Sequence, residues 1–319
     1  MIAIDSVHRP VLLAEALENL VTDPTGIYAD CTFGGGGHTR AILDRFPHAR
    51  IIALDRDPEA IERANNLASQ YDDRRLRPVQ SAFGDLKHVL AACSVSRVAG
   101  ILVDLGFSSF QIDDPARGFA FRHAGPLDMR FDPASGISAA DFLATAGEEE
   151  IADVLWQFGE ERRSRAIARV IVTARTTAPI TTTTELANLV GHIVGHGSGT
   201  AHPATRTFQA LRIHINGELD QLRDVLSAAV DCLDDGGRLV VIAFHSLEDR
   251  IVKQFIADRV RSCVCPPEQP ICTCDTVPTL RKVGKAVHPT AAEQAANPRS
   301  RSAIMRMAER LPRPDGDVA

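Results

Sequence analysis

The chain has 319 residues, 45% of them hydrophobic and 24% charged, and carries a formal net charge of −6 at pH 7. This balance excludes a mainly disordered, collagen-like or coiled-coil protein, and the longest apolar run, at 239–244, is far shorter than the ~20 residues of a membrane helix. Since the N-terminus also lacks the pattern of a secretory signal, we expect a cytoplasmic protein with no membrane partner.

The first third of the chain alternates helical and extended patterns. The predicted elements are helices at 9–20, 38–45 and 57–68 and strands at 27–30, 50–54, 76–80 and 100–104. Strand, turn and helix recur at a spacing of roughly 25 residues, which predicts βαβ units and a parallel sheet.

The pattern changes after residue 104. Residues 105–136 are rich in Gly, Pro, Phe and Asp without a clear period, which is typical of a long functional loop. We predict one discontinuous α/β domain, formed by 1–136 and 213–319 and interrupted by a helical insert at 137–212. The later predicted elements are helices at 139–143, 148–158, 161–173, 184–193 and 216–233 and a strand at 237–244.

A run of four glycines, Gly34 to Gly37, joins the first predicted strand to a helix, where bare backbone can approach a ligand. It is not a P-loop, because His38 stands where the lysine belongs, nor a GxGxxG loop, because Thr39 replaces the last glycine. Asp55 ends the second strand at the position where an acidic side chain binds ribose hydroxyls. These features favour a ribose-bearing cofactor without a pyrophosphate, such as S-adenosylmethionine. The alternative is a tight turn with Asp55 capping a helix.

Asp104 ends the fourth predicted strand. Ligands of open parallel sheets bind beyond the carboxyl ends of the strands, so Asp104 and Asp55 are expected to face the glycine loop. The loop downstream combines carboxylates and arginines with four phenylalanines: Phe107, Phe110, Phe119 and Phe121. That combination suits the grip of an extruded base, and the alternative is a lid whose phenylalanines pack beneath it.

Three segments are locally basic despite the negative total. Residues 160–175 contain five arginines, 202–212 contain no acidic residue, and 281–310 hold seven Lys or Arg residues against two Glu. Such segments are typical of a surface that binds a phosphate backbone, although each one alone could be a solvated helix face.

Four of the seven cysteines form two CxC pairs, Cys263 with Cys265 and Cys272 with Cys274. Four thiolates could hold a structural zinc ion, although the spacing is tighter than that of a CxxC knuckle. A disulfide-forming loop and a metal-free segment are the alternatives, and a reducing cytosol disfavours the disulfides. No catalytic metal is expected, because four thiolates leave no open coordination position.

Nine segments carry long motifs: HRPVLL (8–13), DCTFGGGGHT (30–39), ALDRDP (53–58), DLGFSSFQIDD (104–114), RGFAFR (117–122), GPLDMR (125–130), HPATRTFQALRI (202–213), FHSLEDRIVK (244–253) and NPRSRSAIMRMAER (297–310). In this order they resemble the RsmH/MraW family of S-adenosylmethionine-dependent methyltransferases, which modify N4 of a cytidine in bacterial 16S ribosomal RNA. The resemblance implies a class I, Rossmann-like methyltransferase sheet with an inserted helical RNA-recognition domain. It also implies action near the decoding centre of the small ribosomal subunit.

The resemblance implies cofactor-binding roles for seven residues: Gly36, Gly37, His38, Asp55, Phe83, Asp104 and Gln111. Many amino-methyltransferases outside the family place an Asn/Asp-Pro-Pro-aromatic motif where this chain has the sequence DLGF at 104–107. The cysteine segment varies within the family, so the resemblance adds little support for zinc. The sequence leaves both a monomer and a homodimer open.

We expect Asp104 to hold the cofactor and to lie near the acceptor nitrogen, with Asp128 or Asp114 as a second carboxylate. A proton acceptor is needed because the cytosine amine is a poor nucleophile. A small molecule or a protein is the rival methyl acceptor, which the basic segments disfavour. An NAD-linked oxidoreductase is disfavoured by the failed dinucleotide motif. An RNA-binding assembly factor with a vestigial pocket is disfavoured by the intact Gly36, Asp55 and Asp104.

Overall fold

The computed structural model describes residues 10–72, 74–195, 202–266, 269 and 271–312. It divides the chain into two units, 1–106 with 220–319 and 107–219, which we call the sheet unit and the helical unit. None of the helices in the described ranges is both long and apolar enough to cross a membrane.

The sheet unit alternates strands and helices, as the spacing of apolar segments predicts. Its strands are β1 (Ile27–Asp30), β2 (Arg50–Asp55), β3 (Leu76–Gln80), β4 (Val98–Asp104), β5 (Leu233–Ala243), β6 (Leu280–Val287) and β7 (Ile304–Arg310). Its helices are α1 (Leu13–Leu20), α2 (Gly37–Arg45), α3 (Pro58–Ala68), α4 (Leu86–Ala92), α11 (Glu218–Cys232, whose first two residues belong to the helical unit), α12 (Ser246–Val260) and α13 (Ala291–Ala296).

The seven strands form one sheet in the order β3-β2-β1-β4-β5-β7-β6, and β1 to β5 pair in parallel. Successive side chains point to opposite faces, so that on β4 Ile101 and Val103 join one hydrophobic core and Leu102 joins the other. Helices α4, α11 and α12 contribute to the first core, and α1, α2 and α3 to the second. Burial on both faces explains why the central strands are continuous apolar runs.

The last two strands depart from the predicted parallel sheet, because β7 runs antiparallel to both β5 and β6. Strand β6 is an edge strand with exposed Lys282 and Lys285, so it needs no apolar pattern. Strand β7 buries Met305 and Met307 and leaves Arg306 between them half-buried. Both strands lie in the basic segment 281–310 or at its edge, which the sequence suggested as an RNA surface. The charged residues there obscured the alternation of apolar and polar residues that is typical of a strand, so neither strand was predicted.

The helical unit has its own hydrophobic core, in which α7 packs against α8 and α10. Its helices are α5 (Ser109–Asp113), α6 (Ala139–Thr145), α7 (Glu148–Gly159), α8 (Ser164–Arg175), α9 (Thr183–Val194) and α10 (Thr205–Asn216). Capping boxes start α6, where Ser138 pairs with Asp141, and α9, where Thr182 pairs with Glu185. These caps satisfy backbone N–H groups that a helix start leaves without partners.

The boundaries of the helical unit differ from the predicted insert at 137–212. The loop at 107–136, which we had assigned to the sheet domain, packs within the helical unit. Phe119, Leu127 and Met129 are buried in that unit's core, and Pro126 pairs with Thr182 in an isolated bridge. The loop lacks a periodic pattern because it is held by scattered contacts of this kind.

Candidate active site

The sheet unit contains a point where the strand order reverses. Strands β2 and β3 lie on one side of β1, and β4 and β5 lie on the other. Such a reversal opens a crevice beyond the carboxyl ends of the strands, which is where parallel sheets bind ligands. The glycine loop follows β1 and Asp104 ends β4, so both stand at this crevice.

The glycine loop has no room for side chains at two positions. A Cβ atom on Gly36, whose φ is 74°, would lie 2.4 Å from the ring of Phe33. A Cβ atom on Gly37 would lie 2.1 Å from Cγ of Pro10. Glycine is therefore required at both positions because Phe33 and Pro10 pack against them, and the N–H of Gly36 already donates to the carbonyl of Phe33 at 2.7 Å.

Asp55 fixes this loop from the end of β2. Its Oδ2 accepts the N–H of Gly34 at 2.7 Å, and its Oδ1 accepts the N–H of Asp57 at 2.9 Å. Each carboxylate oxygen has two acceptor positions, so both oxygens retain capacity for ribose hydroxyls. The cap of α3 is Asp57, whose carboxylate accepts the N–H of Glu59 at 3.0 Å. The alternative in which Asp55 caps the helix is therefore wrong.

Asp104 lies across the crevice from the loop residues. Its N–H donates to Oγ1 of Thr32 at 2.7 Å, and its Oδ2 lies 3.7 Å from Nδ1 of buried His38. Nε2 of His38 lies 3.1 Å from the carbonyl oxygen of Val11. Because a carbonyl oxygen only accepts, Nε2 carries a proton and donates it in this hydrogen bond. Within the described part of the chain, Oδ1 of Asp104 is shielded from solvent and has no hydrogen-bond partner. An orphaned acceptor of this kind is suited to a donor from a ligand.

A third carboxylate, Asp30, ends β1 and accepts a hydrogen bond from Oγ1 of Thr39 at 2.6 Å. Burial raises the pKa of Asp30 and of Asp55 to about 6. Burial also raises the pKa of Asp104 well above its usual range, and the negative charges of Asp30 and Glu248 add to the rise. Loss of hydration disfavours the charged form, so all three shifts mark negative charge that is incompletely balanced.

The crevice is chemically suited to a cation that carries a ribose. S-adenosylmethionine has a positively charged sulfonium, an ammonium group and two ribose hydroxyls. The spare acceptor capacity of Asp55 and the orphaned oxygen of Asp104 fit such a ligand. Positive charge would also favour the ionised forms of the three carboxylates.

The remaining predicted residues are divided between the two units. Phe83 follows β3 and packs half-buried against the sheet-unit core. Gln111 is buried in α5 of the helical unit, and its Oε1 accepts the N–H of Ser108 in a capping box. The carboxylate of Asp128 accepts hydrogen bonds from Nε and Nη2 of Arg130 at 2.8 and 2.6 Å. Burial raises the pKa of Asp128, but the hydrogen bonds and charge of Arg130 outweigh it and lower that pKa overall.

The four phenylalanines of the loop fall into two pairs. Phe119 is buried, with its ring stacked on Phe131 at 5.4 Å between centroids, and Phe121 packs edge-on against Phe208 at 4.8 Å. Phe107 and Phe110 are exposed, at 37% and 47% of their surface. Two rings therefore pack within the helical unit beneath the loop, and the other two are exposed.

Many of the basic side chains that we expected to face RNA are bound by other protein groups. Arg212 is buried in an ion pair with Glu218, which takes it out of the acid-free segment 202–212. In 281–310, three of the seven basic residues also bind protein groups: Arg281 and Arg306 form ion pairs with Glu309 and Asp249, and Arg310 donates to the carbonyl of Thr279. Counting charges along the chain therefore overstated the surface available to a phosphate backbone.

A basic groove remains in the sheet unit between α12, β6 and β7. Its cavity volume is about 250 Å³, and Ile256 and Val283 are among its apolar lining residues. The cationic residues that line this groove are Lys253, Arg261, Lys282, Lys285 and Arg306, of which Arg261 is paired with Asp258 and Arg306 with Asp249. Apolar and cationic lining residues together suit a nucleic-acid strand, whose bases have apolar faces and whose phosphates are anionic.

Sequence reasoning missed Asp30 and Glu248. Asp30 occupies the same place as Asp55 and Asp104, directly after an apolar strand, and that parallel could have identified it. Glu248 is buried and accepts the N–H of Phe244 at 2.8 Å at the start of α12. The burial of Glu248 depends on tertiary packing, and the polar motif FHSLEDR does not indicate that this residue is buried.

Comparisons with known proteins match nearly the whole chain. Residues 5–311 match the model of the MraW methylase family. The Ribosomal RNA small subunit methyltransferase H of Thermomicrobium roseum is 51% identical over 310 residues, which cover 97% of this chain and 95% of that protein. The protein of the same name from Burkholderia vietnamiensis is 50% identical over 309 residues, covering 95% of this chain and 97% of that protein. A solved rRNA methylase from Streptococcus thermophilus aligns with 96% of this chain and all of its own at 11% identity and a TM-score of 0.42.

Proposed function

The chain belongs to the MraW methylase family and is an S-adenosylmethionine-dependent methyltransferase, and we propose that its methyl acceptor is N4 of a cytidine in 16S ribosomal RNA. The observation that carries the site assignment is the cluster of Asp30, Asp55 and Asp104 around the glycine loop. The small ribosomal subunit near its decoding centre is the proposed setting, and the cytoplasm the proposed location.

We propose that the sheet unit binds the cofactor with the residues that face the crevice. S-adenosylmethionine supplies a methyl group bonded to a sulfonium, which is strongly electrophilic. Gly36 and Gly37, at the start of α2, would border the bound group, and Asp55 would accept its ribose hydroxyls. Asp104 would hold its cationic edge through the oxygen that has no protein partner. His38 and Phe83 are the further proposed contacts of the sheet unit, and Gln111 of the helical unit is proposed as a contact on the family resemblance alone.

Asp104 is the proposed proton acceptor for the amino group of the cytosine. The lone pair of that amine is delocalised into the ring, so the nitrogen attacks well only if an acceptor holds its protons. The raised pKa of Asp104 makes the carboxylate a stronger base than a solvated aspartate. Positioning the amine in line with the methyl group supplies much of the remaining rate.

Asp128 is the proposed second carboxylate, and its present contacts limit that role. Its carboxylate is bonded to Arg130, which lowers its pKa and makes it a weak base. A catalytic role for Asp128 requires the pair with Arg130 to open. Asp114, the other candidate, caps a short helical turn by accepting the N–H of Ala116 at 2.9 Å.

We propose that the helical unit selects the RNA through its exposed aromatic residues. The guanidinium of Arg212 lies 5.0 Å from the ring centre of Phe107, and Glu218 accepts two hydrogen bonds from that guanidinium. A ring held in this way can stack an unpaired base at little entropic cost, as can the exposed Phe110. The basic groove of the sheet unit is proposed to bind the phosphate backbone.

The test incubates the protein with methyl-labelled S-adenosylmethionine and either free 16S ribosomal RNA or small subunits that lack the modification. Label is expected in RNA, and mass spectrometry of the digested RNA should identify N4-methylcytidine at one position. A matched reaction with Asp104→Asn provides the background. Absence of label from both RNA substrates would overturn the proposed acceptor. Light scattering of the same preparation decides between the monomer and the proposed homodimer.

A further inference from the structure

The structure brings the two CxC pairs together in the segment between α12 and β6. The sulfur atoms of Cys263, Cys265, Cys272 and Cys274 all lie within 4.8 Å of one another. Cys272 lies 3.4 Å from Cys274 and 3.5 Å from Cys263, and 3.9 Å separates Cys265 from Cys272. Four Zn–S bonds of ~2.3 Å in a tetrahedron place sulfur atoms ~3.8 Å apart, so these distances bracket a zinc tetrathiolate.

Hydrogen-bond donors already point at the sulfurs. The N–H of Val264 lies 3.4 Å from Sγ of Cys274, and the N–H of Cys265 lies 3.4 Å from Sγ of Cys263. The hydroxyl of Thr276 donates to Sγ of Cys274 at 3.2 Å. Donors around a metal's ligands orient them and stabilise their negative charge, and this set is independent of the distances between sulfurs.

The segment has little else to hold it in place. None of its described residues between 261 and 279 is buried, and three large apolar side chains are exposed: Val264, Ile271 and Val277. Its end is attached through the N–H of Thr279, which donates to the carbonyl of Arg259 at 2.9 Å. A short segment without a core usually needs a metal or disulfides to adopt one structure.

We propose that Cys263, Cys265, Cys272 and Cys274 bind one zinc ion as a structural site. Binding of Zn²⁺ replaces the four thiol protons, which pass to solvent, and no residue is oxidised. The four thiolates fill the tetrahedron, so the ion fixes the segment and takes no part in methyl transfer. Arg261, which borders the basic groove, lies two residues before the first ligand, so the ion also anchors that side of the groove.

The test measures metal in the full chain, purified under reducing conditions without chelators. We expect about one zinc per chain by mass spectrometry of the metal. The double variant Cys263→Ser/Cys272→Ser should retain less than about a tenth of that. Cys93→Ser is the matched control, since Cys93 is half-buried outside the cluster, and it should keep the full zinc content. Far-ultraviolet circular dichroism checks that each variant is folded.

Two further measurements use the unaltered chain and do not depend on a variant folding. Replacement of zinc by Co²⁺ should give the intense visible and near-ultraviolet bands of a tetrahedral cobalt tetrathiolate. All seven cysteines should titrate as thiols after denaturation with a chelator and no reductant. The proposal is overturned by a metal-free chain that gives no cobalt spectrum, by zinc that survives in the double variant, or by missing thiols that reveal disulfides.

Discussion

The carboxylates at the crevice of the sheet unit and the buried carboxylate of the helical unit differ in their partners. In the sheet unit, Asp30 is buried and Asp104 has a shielded oxygen without a hydrogen-bond partner in the described part of the chain. In the helical unit, the buried carboxylate of Glu218 meets Arg212 in a fork of two hydrogen bonds at 2.7 and 3.0 Å. The negative charge at the crevice is incompletely balanced by protein groups, whereas the negative charge of Glu218 is balanced by Arg212.

This difference separates a binding site from a scaffold. An ion pair with complete hydrogen bonds holds two elements in one arrangement, because opening it would leave a charge in an apolar place. Carboxylates with raised pKa values and spare acceptor positions cost free energy in the empty protein, and a cationic ligand recovers it. We therefore expect substitutions at the two places to affect different properties of the protein.

The largest effect is expected from Asp104→Asn. The amide keeps the shape of the carboxylate but loses its charge and its ability to take a proton, so turnover at saturating cofactor should fall on the order of 10³-fold. Cofactor affinity, measured separately by calorimetry, should fall as well. Asp231→Asn, at an exposed carboxylate paired with Lys87, is the control and should leave both quantities unchanged. Near-normal turnover of Asp104→Asn at saturating cofactor would exclude a catalytic role.

Glu218→Ala tests the scaffold side of the comparison. Removal of one member of a buried pair leaves Arg212 uncompensated, so the free energy of unfolding should drop by about 3–5 kcal/mol. Urea denaturation measures the loss, and faster hydrogen exchange should concentrate in 107–219. The control is Asp220→Asn, whose pair with Arg223 is exposed and should contribute under about 1 kcal/mol. Equal losses in the two variants would contradict the distinction between the two kinds of charge.

The sequence predicts the centre of the sheet unit well, because local patterns determine it. The predicted ranges 27–30 and 76–80 coincide with β1 and β3, and Asp55 and Asp104 lie where the strands end. Strand β1 is buried on both faces, which explains its apolar run, whereas β3 is an edge strand on which only Leu76 is buried. The glycine loop is also predictable from the sequence, because positions without room for a Cβ atom require glycine.

The sequence did not predict which charged residues form ion pairs and which are exposed. Arg306 and Lys282 are both basic residues of predicted RNA-facing segments, yet Arg306 is half-buried and paired with Asp249, 57 positions away, while Lys282 is exposed on the edge strand β6. The pairing of Arg212 with Glu218 likewise depends on the turn between α10 and α11. A charge count along the chain cannot distinguish a paired arginine from an exposed one, because tertiary packing decides it.

Asp30→Asn should stabilise the empty protein. The folded-state pKa of Asp30 is about 6 against 3.8 for the ordinary group, so its contribution to stability is present below pH 3.8 and is lost as the pH rises through 6. Removing the charge should raise the free energy of unfolding by up to about 3 kcal/mol at pH 8 and leave it unchanged near pH 4. Asparagine can still exchange a hydrogen bond with Thr39.

Thermal unfolding at both pH values measures this gain. Asp44→Asn, which removes an exposed carboxylate bonded to the hydroxyl of Tyr71, is the control and should give no increase at pH 8. A lower melting temperature for Asp30→Asn at pH 8 would mean that the charge of Asp30 is already balanced within the protein.

The smallest expected effect is the pH dependence of cofactor binding, which connects the same carboxylates to function. Asp30 and Asp55 have pKa values of about 6 in the empty protein, so both are largely ionised at pH 8 and largely protonated at pH 5. A cationic ligand binds the ionised form better, so the dissociation constant for S-adenosylmethionine should rise by about tenfold as the pH falls from 8 to 5.

Calorimetry in two buffers with different ionisation enthalpies measures this coupling directly. Near pH 6 the cofactor should displace protons from Asp30 and Asp55, so the apparent binding enthalpy should differ between the buffers, and the part of the difference that these two groups cause should vanish at pH 8. Asp30→Asn removes one of the titrating groups and should reduce the number of protons released. An affinity that stays constant between pH 5 and 8 would show that these carboxylates keep their charge in the empty crevice. Unbalanced negative charge would then not be the feature that distinguishes this site from the paired charges of the helical unit.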